Sequence, residues 1–206
     1  PWVRLVALGW PLLPSAWRAR ISPATASTLV ALGLPAIEWL LQGRRPVPPA
    51  TMPSVDLDRF AGSWFVLAQL PRRFGALVEP DGGQRLLHYT PRTDGRIDVR
   101  STCTGAAPDE PAVRGLALVV AGSDGAKLAL SLWPAWLHAL SWAWSDHWIL
   151  HVDEAYDEAL VGSASRDQLF VLSRRPQMAP QPMAELVRRA GEQGFSVERL
   201  RFAASG

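Results

Sequence analysis

From Gly62 to Arg174 the chain reads as a run of short apolar segments, each closed by a turn signal, and this alternation constrains the fold more than any other feature. Asp81-Gly82-Gly83, Asp94-Gly95 and Ser123-Asp124-Gly125 place glycine where a tight hairpin needs positive φ. Consecutive strands should therefore pair antiparallel, since parallel neighbours would need a helix-length crossover each time. The pattern predicts strands over 63–71, 84–91, 95–103, 112–120, 126–133, 147–153, 158–163 and 167–174, enough to close a barrel. Beyond them Met183, Leu186, Val187 and Ala190 recur at helical spacing, which predicts a helix over 184–193 stopped at Gly194, then a last strand over 196–202 outside the barrel. The expected class is all-β: an eight-stranded antiparallel up-and-down barrel with a C-terminal α-helix, plus an apolar, helical N-terminal extension.

Alternate residues of a strand share a face, so parity predicts what points inward. Trp64 inward carries Val66, Ala68 and Leu70 with it; Leu87 and Tyr89, Leu128, Leu130 and Leu132, and Phe170 and Leu172 extend an apolar wall. On the fourth strand the set Val113, Gly115, Ala117 and Val119 is small and uncharged while Arg114 points away. Small inward residues leave volume, and volume inside such a barrel is a ligand cavity. The sixth strand admits two parities. Trp148, Leu150 and Val152 are the apolar choice, which adds Trp148 to the expected lining; His147, Ile149 and His151 would instead give the pocket polar groups.

The chain has 206 residues, room for one barrel and an appendage. Pro46-Val47-Pro48-Pro49-Ala50-Thr51-Met52-Pro53 is a stiff linker that divides an extension over 1–50 from a barrel domain over 51–206. Five arginines against Glu38 give residues 1–50 a net charge of +4, so the remainder of this +2 chain is net −2, a poor match for nucleic acid. Residues 24–41 are mostly apolar and follow Arg18 and Arg20, as in a signal sequence or a short anchor, although Pro35 and Glu38 interrupt them; a misassigned start is the third reading. Cys103 is the sole cysteine, which removes any intrachain disulfide.

Reactive constellations are sparse. His147 and His151, flanked by Asp146 and Asp153, would sit on one strand face about 13 Å apart, too far to share a metal at bonds of ~2.1 Å, so no metal is expected. Gly162-Ser163-Ala164-Ser165 lacks the second glycine of a nucleophile elbow and follows a strand in a barrel. Glu154, Asp157 and Glu158 read as a solvated turn. Five of the ten tryptophans, Trp133, Trp136, Trp142, Trp144 and Trp148, fall within 16 residues, in a stretch with no Asp, Glu, Lys or Arg from Leu128 to Ser145. Either this segment folds down as extra core, or it forms a lid or membrane-touching rim, since tryptophan favours places half apolar and half wet.

Three ordered motifs carry a resemblance. Gly62-Ser63-Trp64-Phe65 after Asp56-Leu57-Asp58, the segment 152–162 with its Asp153 and Tyr156 turn, and the segment 167–176 ending Ser173-Arg174-Arg175-Pro176 resemble the three signatures of the lipocalins over about residues 53–203, the turn in the form found in bacterial members and apolipoprotein D. The resemblance implies that Gly62, Trp64, Asp153, Tyr156 and Arg174 are structural, with Arg174 packing across Trp64 and Asp153 and Tyr156 tying their turn. It implies a lipid-binding protein without a cofactor or catalytic residues, which holds a fatty acid or lysophospholipid for storage or transport in a bacterial envelope, on the periplasmic side and near a membrane. The lipid headgroup would stay at the mouth or pair with Arg72 or Arg73. In place of the lipid-modified cysteine of many bacterial members stands Arg44, so membrane attachment would fall to the extension. An isomerase or hydrolase on the same barrel would show two titratable groups meeting inside it; a haem or pigment binder would need His147 or His151 to point inward.

Overall fold

Each of the eight predicted strand runs forms a strand. The computed structural model describes residues 47–71, 84–104 and 112–203; the extension over 1–45, Arg72, Arg73 and the Asp81-Gly82-Gly83 turn lie outside the described residues. The strands are β1 Gly62–Gln69, β2 Arg85–Pro91, β3 Arg96–Cys103, β4 Val113–Val119, β5 Lys127–Ser131, β6 Ser145–Val152, β7 Glu158–Gly162 and β8 Leu169–Ser173. Each pairs antiparallel with the next, and β1 pairs with both β8 and β2, which closes the barrel. The β4–β5 turn shows why its glycine is needed: Gly125 has φ +81°, and a Cβ there would lie 2.5 Å from the Val55 carbonyl oxygen.

Closure uses only part of β1. Gly62 to Phe65 pair with Tyr89 to Leu86, whereas Ala68 and Gln69 pair with a two-residue strand, β9 Arg201–Phe202. The last strand is thus shorter than predicted, because Val197–Arg199 forms a 3-10 turn first. Helix α2, Pro180–Glu192, begins four residues before the predicted start: Pro180 and Pro182 fall in its first turn, where a missing N–H costs no helical bond. It ends where Gly194 takes φ +84° and Phe195 N–H donates to the Ala190 carbonyl at 3.1 Å.

Two apolar cores result. One fills the barrel around Trp64, Leu87, Tyr89, Leu128 and Phe170; the other lies against α2 and joins Leu150, Leu160, Leu169 and Val171 of the wall to Leu186, Ala190 and Phe195. Two register shifts decide which residues go where. Between Val66 and Ala68 the β1–β8 pairing slips, and Ala68 and Leu70, expected inside, pack instead in the core under the helix. Between Ile149 and His151 the β6–β7 pairing slips as well. Trp148, expected inside, precedes that slip; with His147 and Ile149 facing inward it packs partly buried in the helix-side core, with the Lys127 ammonium 4.5 Å from its ring centroid. A bulge adds one residue to a strand and turns every later side chain to the other face, so strict alternation fails beyond it.

Candidate functional site: a plugged barrel with an aromatic rim

The closed end is built first by a short helix, α1 Leu57–Phe60, whose N-cap Asp56 accepts from the backbone N–H groups of Asp58 and Arg59. This helix sets Phe60 against Trp64, ring centroids 4.9 Å apart, and the Trp64 indole N–H donates to the Phe60 carbonyl at 2.8 Å. Arg174 lies over the same indole, 3.9 Å from the ring centroid. Its guanidinium donates to the carbonyls of Ser63, Arg59, Ala61 and Phe60 at 2.7–3.2 Å and, through Nε, to that of Tyr156. A planar fork of five donors suits that ring of carbonyls; an ammonium would reach fewer. Arg175 points elsewhere, to Asp157 at 3.4 Å. In the adjoining turn the Asp153 carboxylate accepts from the N–H groups of Ala155, Asp157 and Glu158, Tyr156 takes φ +61°, and its hydroxyl accepts from Asp56 N–H at 3.0 Å.

Above this plug the inner wall is apolar. Val66, Leu87, Tyr89, Ala117, Leu128, Leu130, Phe170 and Leu172 belong to the inner core, with Leu132 partly buried against it. Gly115 faces Leu132 so closely that a Cβ would sit 2.6 Å from a leucine methyl. Val119 is the exception on β4: as the strand's last residue before the β4–β5 turn it is 37% exposed and stands outside the buried inner core. Ile97 and Val99 join the inner core without having been expected there, and Ile149 and Val152, one from each of the two parities open for the sixth strand, join it together. The Ile97/Val99 pair was visible in the alternation of β3 with Arg96, Asp98 and Arg100.

The two histidines separate. His147 is opposite Leu128 and points inward, 1% exposed; His151 is opposite Leu160 of the helix-side core, half-buried, with Arg189 of α2 near enough to lower its pKa after burial itself. The shared face expected of them is lost to the β6 bulge, and they project from opposite sides of the wall. Inside, His147 Nε2 meets the Tyr89 hydroxyl at 2.7 Å, and its ring stands between those of Tyr89 and Phe170, at 5.8 and 6.1 Å between centroids. Burial in apolar surroundings lowers the His147 pKa to about 4 and pushes the Tyr89 hydroxyl well above its ordinary value.

At the opposite end, Arg85 opens β2 on the face of Leu87 and Tyr89 and is 5% exposed. The same parity that selected Leu87 and Tyr89 reaches Arg85 two residues earlier. The β5–β6 connection stands at this open end and folds into two 3-10 turns, Ala135–Leu137 and Ser141–Ala143. It is not extra core. Leu137 and Ala143 are buried beneath it, while Trp133, Trp136, Leu140 and Trp142 are 52, 78, 42 and 59% exposed. His138 braces the loop by donating from Nε2 to the Trp133 carbonyl and accepting at its own carbonyl from the Trp144 indole, both at 2.8 Å. Trp133 and Trp142 meet edge to face at 5.5 Å.

Known proteins share this plan. The family described as "Lipocalin-like domain" matches residues 55–205. A temperature-induced lipocalin of Arabidopsis thaliana is 32% identical over 149 residues, 71% of this chain and 77% of that protein. The outer membrane lipoprotein Blc of Citrobacter freundii is 26% identical over 187 residues, 88% of this chain and 95% of that protein. Among solved structures, insecticyanin from the tobacco hornworm Manduca sexta superposes with a TM-score of 0.53 at 12% identity, over 78% of this chain and 85% of its own, a likeness of fold alone. With the signatures on β1, the Asp153 turn and β8 assembled at one closed end, the chain belongs to the lipocalin family.

Proposed function

We propose that this protein binds a single-chain anionic lipid, a fatty acid or a lysophospholipid, inside its barrel and carries or stores it in a bacterial cell envelope, on the periplasmic side. The observation that supports this most is an apolar inner wall with a buried arginine, Arg85, toward the open end. An acyl chain gains ~0.8 kcal/mol per buried methylene from such a wall. A guanidinium held away from bulk water favours a carboxylate or phosphate beside it. The expected lining of Val66, Leu87, Tyr89, Gly115, Ala117, Leu128, Leu130, Leu132, Phe170 and Leu172 enters this proposal without Ala68, Leu70, Trp148 and Val119. The outer-membrane lipoproteins among its relatives support the envelope placement.

The rim supports loading at a membrane. Tryptophans that stand out of a braced, uncharged loop suit a lipid–water interface. The basic, apolar extension over 1–45 would supply a second attachment. An enzymatic reading has one observation in its favour, the meeting of Tyr89 and His147 inside the barrel. Both pKa values are driven away from neutrality, however, and acid–base catalysis needs them near the working pH. A haem ligand at His147 would have to displace the Tyr89 hydroxyl from Nε2.

Titration of the delipidated chain with oleate and with lysophosphatidylethanolamine tests the proposal. Binding is expected for both, abolished by Ala117→Trp and weakened by Arg85→Met. Unchanged binding by Ala117→Trp would put the lipid outside the barrel. Fluorotryptophan NMR tests the rim: resonances of Trp133, Trp136 and Trp142, assigned by single replacements with Phe, should broaden on lipid nanodiscs while Trp64 stays unchanged. Membrane association with all four unchanged would assign the attachment to the extension.

A further inference from the structure

His147 is an unusual residue to find among Leu128, Ile149 and Phe170. Its ring is buried, Nε2 is engaged by the Tyr89 hydroxyl, and Nδ1 has no hydrogen-bond partner among the described residues. Two proton arrangements are possible within that pair. If Nε2 carries the proton and donates to the Tyr89 oxygen, two groups are left over, the tyrosine O–H and a bare Nδ1. If the tyrosine O–H donates to Nε2, one group is left over, an N–H on Nδ1. Each buried polar group without a partner costs ~1–3 kcal/mol, so the second arrangement prevails. With its pKa lowered to about 4, the ring holds one proton near neutrality. Beside Tyr89 and Phe170 the barrel interior thus presents a fixed donor, Nδ1–H, in an apolar setting.

We propose that the ligand of this barrel carries a neutral acceptor oxygen, a hydroxyl or carbonyl partway along its chain, that seats on His147 Nδ1–H. This rests on the lipid-binding reading above and deepens it to an oxygenated acyl chain. The oxygen is neutral because Tyr89, His147 and Phe170 offer no positive charge at that depth. Its place along the chain follows from β2: Arg85 and Tyr89 are four residues apart on one strand, about 13 Å, which an extended chain covers in roughly ten bonds. An anionic head at Arg85 therefore puts the tenth to twelfth carbon beside the Tyr89–His147 pair.

Paired ligands test this on the delipidated full chain: stearate, 12-hydroxystearate and 12-ketostearate. The two oxygenated acids should bind about five- to tenfold tighter than stearate, the worth of one hydrogen bond to a donor otherwise left unpaired. In His147→Phe the preference should vanish or reverse while stearate still binds. Where that variant fails to fold, histidine nitrogen NMR of the unsubstituted chain gives the answer: the Nδ1–H tautomer is expected, with its proton resonance shifted by 12-hydroxystearate and not by stearate. Equal affinity for all three acids, or an Nε2–H tautomer, overturns the inference and leaves the lipid reading standing. Failure of all three to bind overturns both.

Discussion

The two ends of this barrel solve opposite problems with the same residue types. At the closed end Trp64 is fully buried, its indole N–H is bonded and an arginine covers its face. At the open end Trp136 and Trp142 are 78 and 59% exposed on a loop that hydrogen bonds brace from below. Arginine divides likewise: Arg174 satisfies backbone carbonyls, whereas Arg85 sits on the inner face near the mouth. The closed end holds the fold together. The open end spends apolar surface that folding did not need, and such surface calls for a partner.

Breaking the closed end should have the largest effect. Trp64→Ala removes the largest side chain of the inner core and is expected to cost ~3–5 kcal/mol, read from urea unfolding. A cost below ~1 kcal/mol would mean that the plug is not the keystone of the barrel.

Acid should act next, at the middle of the barrel. The folded His147 pKa of about 4 lies below the ordinary value of 6.5, so the unfolded chain takes up a proton first as pH falls. The stability tied to the neutral ring is complete above pH 6.5 and is lost as pH falls from 6.5 to about 4, by up to ~3 kcal/mol at 1.36 kcal/mol per unit. His151 shifts in the same direction, whereas Glu185, held at about 2 by Arg188, titrates below this window. Unfolding curves of the unsubstituted chain and His147→Phe should therefore converge toward pH 4. Parallel curves would assign the acid sensitivity to other groups.

Arg174→Lys should follow, at roughly 2 kcal/mol. It keeps the charge over Trp64 but forfeits most of the carbonyl bonds, each worth ~0.5–1.5 kcal/mol net. A loss as small as that of Arg175→Lys, whose side chain reaches Asp157 at 3.4 Å, would show that charge and not the fork matters.

How much of this was legible in the sequence differs between the ends for a physical reason. Turn glycines and period-two alternation carry the barrel topology, because backbone pairing imposes both. The closed-end motifs are local in sequence and were readable as a set. For Ala68, Leu70 and the shared face of His147 and His151, what failed was parity beyond a bulge: nothing in Val66-Leu67-Ala68 or Ile149-Leu150-His151 announces an extra residue, since apolar side chains fill both faces wherever α2 covers the outside. The inward turn of His147 was one of two open parities. Its pairing with Tyr89 joins residues 58 positions apart and had no local signal. Arg85 lay in plain parity with Leu87 and Tyr89, but a charge at an inner position reads as the end of a strand.

The smallest effect on folding belongs to the rim, and it separates the ends most cleanly. Trp136 and Trp142 are exposed side chains whose removal vacates no core, so Trp136→Ser with Trp142→Ser should change stability by no more than ~0.5 kcal/mol per site. Trp142 also gives up its edge-to-face contact with Trp133, which makes it the costlier of the two. Lipid affinity in solution should stay the same, because neither residue lines the inner wall, while transfer of lysophosphatidylethanolamine from vesicles into the barrel should slow severalfold. Stopped-flow transfer from vesicles, set beside equilibrium binding of the same lipid, reads the two quantities apart. An unchanged transfer rate would return the aromatic rim to ordinary surface, and a loss of stability as large as that of Trp64→Ala would show that the open end supports the fold after all.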